Sequence, residues 1–130
     1  MEASNYTEVF TDGSYEPQIA CGAWAALIIF NENEKMLSGT SEQASQHKME
    51  LQAVIKSIEY IIDHYENETP IKLYTDSEYV ENLLNRKEKL LKNEFITKKG
   101  NNIKHTADIK QFYQLEEQLN ITITRVPSHQ

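Results

Sequence analysis

The chain predicts a single α/β domain, and three observations carry that prediction. β-type runs at hairpin spacing occupy the first third, a long apolar stripe at helical spacing follows, and a short strand then leads directly into another helix. At 130 residues the whole span, 1–130, has room for one hydrophobic core rather than two. The 39% hydrophobic and 25% charged fractions are those of an ordinary globular protein. No apolar run is long enough to span a membrane, and Met1-Glu2-Ala3-Ser4-Asn5 lacks the features of a signal peptide. Cys21 is the only cysteine, which excludes an internal disulfide, so a reducing, cytoplasmic setting without a membrane partner is expected.

Each element has its own signature. Tyr6 to Thr11 reads as a first strand and runs into Asp12-Gly13-Ser14, which taken locally marks a turn. Gly22 to Phe30 is a second, more buried strand, with Trp24 expected in the core. Asn31 to Glu34 is a polar turn and Lys35 to Thr40 a third strand, so an antiparallel meander is expected. Leu51, Val54, Ile55, Ile58, Ile61, Ile62 and Tyr65 then mark one face of a long helix, with Glu50 just beside the stripe. Asn67 to Pro70 breaks that helix. Ile71 to Thr75 is a fourth strand ending on Asp76. Behind it Ser77 is a good N-cap, Glu78 suits the positive end of a helix, and Val80, Leu83 and Leu84 form its apolar stripe. Thr106 is the expected N-cap of a further helix carrying Ile109, Phe112, Tyr113, Leu115 and Leu119. Ile121 to Val126 alternates as the last strand.

Charge is unevenly distributed. The net charge is −7, yet residues 86–104 hold seven basic and two acidic side chains, a local +5 against −12 for the remainder. Phosphate binding follows local potential more than net charge, so this segment is a candidate nucleic-acid footprint. Read blandly, it is a solvated helix and loop.

The acids suggest chemistry. Asp12 and Asp76 are read at the ends of two strands, the position where open α/β sheets carry their sites, and Glu50 early in the long helix. If the first and fourth strands are neighbours, the three carboxylates meet at one mouth. Clustered carboxylates without thiolates favour a hard cation, Mg²⁺ or Mn²⁺, which relieves their mutual repulsion.

Four motifs then resemble those of type 1 ribonuclease H, in the family's order and over nearly the whole chain. They are Thr11-Asp12-Gly13-Ser14, Lys48-Met49-Glu50-Leu51 with Ala53, Thr75-Asp76-Ser77 with Tyr79-Val80, and Val126-Pro127-Ser128-His129. The resemblance implies a ribonuclease H-like five-stranded mixed sheet, three antiparallel N-terminal strands plus two parallel ones, flanked by helices. It implies an endonuclease that cuts the RNA strand of RNA/DNA hybrids with two Mg²⁺ ions (Mn²⁺ as substitute), leaving 5′-phosphate and 3′-hydroxyl ends. Asp12 would bridge both ions, Glu50 and Asp76 would each hold one, and His129 would assist proton movement or product release. Gly13, Ser14, Tyr15, Gln46, His47 and Ser77 would line the hybrid beside the cut, while Lys87, Lys89, Lys92, Lys98 and Lys99 would contact its phosphates. No obligate protein partner is implied, and a monomer is expected.

The chain departs from the family pattern in several places. The basic segment lacks tryptophan, with Phe95 its only aromatic residue, and His47 stands where the family commonly has an amide. The loop from Glu16 to Cys21 is short. Nothing matches the further aspartate that the family carries on a last helix beyond the histidine, and that helix is absent. The expectation is therefore a C-terminally shortened domain that binds metal weakly and cleaves poorly. The alternatives are a non-catalytic nucleic-acid-binding domain on the same fold, and a ribonuclease H domain from a reverse transcriptase.

Overall fold

The computed structural model describes residues 6–42, 44–65 and 70–127. Its elements are β1 (Thr7–Glu16), β2 (Cys21–Phe30), β3 (Asn33–Glu42), α1 (Gln46–His64), β4 (Ile71–Thr75), α2 (Glu78–Lys92), α3 (Thr106–Gln118) and β5 (Ile121–Arg125). They build one five-stranded sheet in the order β3-β2-β1-β4-β5. The first three strands pair antiparallel, because short turns can join only antiparallel neighbours, and β4 and β5 add parallel to β1 through helical crossovers. This is the mixed sheet the resemblance implied.

Along β1, Val9, Thr11 and Gly13 are buried while Phe10, Asp12 and Ser14 alternate to the opposite face. α1 packs over β1 and β2, and α3 packs on α1. Val9, Ile28, Leu51, Val54, Ile55, Ile58, Leu73, Ile109 and Phe112 form the centre of the core between them. The opposite face carries a row set by register: Met36 beside Leu27, Leu27 beside Phe10, Phe10 beside Tyr74. Phe10 and Met36 are 40% and 59% exposed there, and the Phe10 and Tyr74 rings stack at 4.8 Å.

Four local expectations are corrected. Asp12-Gly13-Ser14 is not a turn, and Asp12 does not end its strand: β1 runs straight on to Glu16, held by pairing with β2 through Glu16↔Cys21. Arg86, Lys87, Lys89 and Lys92 lie on α2, which continues to Lys92. The N-cap of α3 is His105, in the left-handed region at φ 62°, and its side chain makes no capping bond. Thr106 is the first helical residue, and its hydroxyl instead bonds the Ile103 carbonyl oxygen. Trp24 is partly exposed rather than core, with its indole lying across Gly39.

Candidate active site

The parallel pairing of β1 with β4 ends at Thr11 opposite Thr75, so the next residue on each strand is an aspartate at an equivalent position. Asp12 and Asp76 consequently line one cavity of about 270 Å³, together with Phe10, Tyr74, Val126 and Pro127. Val126 is fixed at this rim by its amide, which donates to the Thr75 carbonyl at 2.8 Å. Asp12 is exposed and Asp76 half-buried.

Glu50 reaches this end of the sheet because Gly13 permits it. A Cβ at position 13 would stand 2.5 Å from the Glu50 amide nitrogen and 2.7 Å from the Met49 carbonyl carbon. Only a residue without a side chain lets the first turns of α1 press this closely on β1. Ser45 starts the helix, its side chain accepting the Lys48 N–H. The Gln46 amide then donates to the Gly13 carbonyl at 2.6 Å and to Glu50 Oε2 at 3.1 Å. From the other side, the Ser77 hydroxyl donates to Glu50 Oε1 at 2.7 Å. Ser77 also caps α2, as the sequence predicted, by accepting the Val80 N–H at 3.1 Å.

These contacts join the elements carrying the three acids at one end of the sheet, but they do not form a finished cage. Among the described residues, no three Asp, Glu, His or Cys side chains are grouped so as to hold a metal ion. Asp12 alternates to the sheet face opposite the core, and the Glu50 carboxylate accepts from Gln46 and Ser77. In kind, the donors fit a hard divalent cation: all are carboxylates, and among the described residues none of the three meets a lysine or arginine.

The other nominated residues divide. Gly13 and Ser14 line a second groove beside Asp12, with Trp24, Gly39 and Thr40 as its far wall, while Tyr15 is half-buried. Trp24 was not foreseen here; the signal was a lone large aromatic among small neighbours, Gly22-Ala23-Trp24-Ala25-Ala26. His47 is exposed and lies flat on the Tyr79 ring, centroids 4.1 Å apart. The Tyr79 hydroxyl is buried with no hydrogen-bond partner among the described residues, and burial pushes its pKa up to about 12. Lys89, Lys92, Lys98 and Lys99 are exposed, and Arg86, Lys89 and Lys98 surround a separate cavity of about 250 Å³. Lys87 is committed elsewhere. Its ammonium is bound by Glu116 at 2.6 Å and Glu117 at 2.8 Å, so it is not a free phosphate contact. Partial burial works against its charge, but those two bonds prevail and raise its pKa. His129 lies outside the described residues.

Comparison with known proteins points the same way. The chain is 36% identical over 83 residues to the ribonuclease H of Granulibacter bethesdensis, covering 64% of this chain and 53% of that protein. It is 37% identical over 82 residues to the ribonuclease H of Dechloromonas aromatica, covering 62% and 51%. It thus spans about half the length of these curated relatives. In fold it resembles LC9-RNase H1, a type 1 RNase H with the type 2 active-site motif, with a TM-score of 0.81 at 17% identity over 95% of this chain and 64% of that one. It also resembles the foamy viral protease-reverse transcriptase solved in complex with dsDNA, with a TM-score of 0.77 at 20% identity over 95% and 83%. The RNase H family model matches residues 4–130, the span that builds both the sheet and the acid-bearing mouth, and by that match this chain belongs to the RNase H family.

Proposed function

We propose that this domain hydrolyses the RNA strand of RNA/DNA hybrids, leaving 5′-phosphate and 3′-hydroxyl ends. The observation that carries the reading is the meeting of β1, α1 and β4 at one end of the sheet, with acids that no basic side chain neutralises among the described residues. Asp12, Glu50 and Asp76 would hold two divalent cations, Mg²⁺ or in its place Mn²⁺, which when bound activate the attacking water and stabilise the leaving 3′ oxygen. Asp12 and Asp76 supply carboxylates on the open face of the sheet, and Glu50 supplies one from the helix side. Glu50 would also lie near the ribose 2′-hydroxyl beside the cut, the group that distinguishes RNA from DNA. Ser14, Tyr15 and Gln46 border the hybrid's minor groove in this reading, and His47 offers a ring face and ring nitrogens where an amide is usual. His129 would assist proton movement or product release. Lys89, Lys92, Lys98 and Lys99 contact phosphates without regard to sequence.

The test is Mg²⁺- or Mn²⁺-dependent cleavage of a labelled hybrid, with Asp12→Asn and Asp76→Asn as controls. Loss of cutting in both variants is the expected result, and cutting that persists in both refutes the mechanism. A second reading is a hybrid-binding domain without catalysis. Exposed Lys89, Lys92, Lys98 and Lys99 would serve that role equally, and hybrid binding without cleavage at any metal concentration would establish it.

A further inference from the structure

We infer that Ser77 is a positioning residue for the Glu50 carboxylate, fixing its orientation for a divalent cation, in addition to capping α2. The inference rests on the nuclease reading above and assigns Ser77 a role other than touching substrate.

The argument is an accounting of protons. A serine hydroxyl has one proton to give and lone pairs to accept with. Ser77 Oγ accepts the Val80 N–H at 3.1 Å, and it lies 2.7 Å from Glu50 Oε1. An ionised carboxylate only accepts, so the single hydroxyl proton must lie on the line to Glu50. The Ser77 amide is engaged as well, donating to Thr75 Oγ1 at 3.0 Å. With Ser77 only 4% exposed, water has little access to compete for that proton.

The second Glu50 oxygen is held in the same manner. Gln46 gives one amide hydrogen to Glu50 Oε2 at 3.1 Å and the other to the Gly13 carbonyl at 2.6 Å. Both of these partners are acceptors, which fixes the amide orientation. Glu50 is therefore gripped from two elements by neutral donors. Such donors orient the carboxylate without forming the ion pair that an arginine or lysine in the same place would make with it. Donors that orient metal-ligating carboxylates typically change metal affinity or activity by about tenfold or more.

The capping and positioning roles can be separated. Glycine is nearly as good an N-cap as serine, and it keeps the backbone N–H to Thr75 while removing the hydroxyl. The experiment compares wild type, Ser77→Gly and Ser77→Thr by calorimetric titration with Mn²⁺ alone, by hybrid cleavage and by thermal unfolding. Ser77→Gly is expected to melt close to wild type, to bind Mn²⁺ about 10-fold more weakly, and to lose kcat with KM for hybrid unchanged. Ser77→Thr, which keeps the hydroxyl, is expected to restore both. If Ser77→Gly does not fold, Ser77→Ala puts the same question, since it differs from the native residue by the oxygen alone. Mn²⁺ affinity unchanged by loss of the hydroxyl, or not recovered by threonine, overturns the inference while leaving the nuclease reading intact. Wild type that binds Mn²⁺ but never cuts hybrid defeats the nuclease reading, and the Ser77 comparison is then decided on Mn²⁺ binding alone. Wild type that binds no Mn²⁺ defeats both.

Discussion

Gly13 is the residue on which the site's geometry turns. A methyl group there meets backbone atoms of Met49 and Glu50, none of which can swing aside as a side chain would. Gly13→Ala must therefore lift α1 away from β1. A loss of about 1–3 kcal/mol is expected, the usual range for overpacking, measured by urea unfolding. Hybrid cleavage is expected to fall further than that destabilisation explains, because Glu50 moves with the helix. At this scale the sequence was informative about identity and silent about orientation. Asp12, Glu50 and Asp76 could be named from motif and spacing alone. That Glu50 Oε1 takes its proton donor from a serine 27 positions later could not, since such a contact exists only once α2 has been placed.

On α2, Lys87 has different work from Lys89 and Lys92. The apolar stripe Val80, Leu83, Leu84 continues to Leu90 and Leu91, but Lys87 interrupts it, so the pattern alone marks only the first turns of the helix. Lys87 fills the stripe because Glu116 and Glu117 of α3 take its charge and the Tyr113 ring lies 5.5 Å from its Nζ. Those partners are 29 and 30 residues away, so no local pattern could have revealed them. Lys89 and Lys92, by contrast, are exposed. Replacing both with glutamine is expected to weaken hybrid binding and to flatten the slope of log affinity against log salt by about 1–2, roughly one phosphate per lysine. Lys87→Gln is expected to leave that slope unchanged and to cost about 1–3 kcal/mol of stability, because it strands the largely covered Glu116 carboxylate. Fluorescence anisotropy over a salt series and urea unfolding separate the two outcomes. The start of α3 was misplaced by one residue for a similar reason: the backbone takes a left-handed conformation at His105, and Thr106 bonds backward instead of capping.

Across the whole molecule, the sequence of strands and helices followed from hydrophobic period and the mixed sheet from the family resemblance, and the structure agrees with both. What stayed hidden was the side of the sheet on which each acid stands, because one face carries the helices and the other keeps Phe10 and Met36 exposed. The core also leaves a signature in alkaline solution. Burial raises the pKa values of Tyr65, Tyr79 and Tyr113, that of Tyr79 to about 12. In the unfolded chain these phenols ionise near pH ~10. Between that pH and the folded values the unfolded state has lost protons the folded state retains, so stability falls as pH rises through this window. Tyr79→Phe removes a buried hydroxyl that has no partner among the described residues. Its stability is expected to equal or exceed that of wild type at pH ~8, and its decline toward pH ~11 to be shallower. Urea midpoints at the two pH values decide this; a decline as steep as that of wild type counts against the assignment.

The register of β1 against β4 has one last consequence. Since Thr11 and Thr75 are partners in a parallel pair, the aspartates that follow them inherit an interval set by main-chain hydrogen bonding, about 4.8 Å from strand to strand. Repacking beneath the sheet can loosen or tighten the interior without changing that interval. Sliding one strand by a single residue would change it, and would also turn one of the acids over to the helices. Drift among the core's interchangeable aliphatic residues thus leaves the spacing of Asp12 and Asp76 untouched.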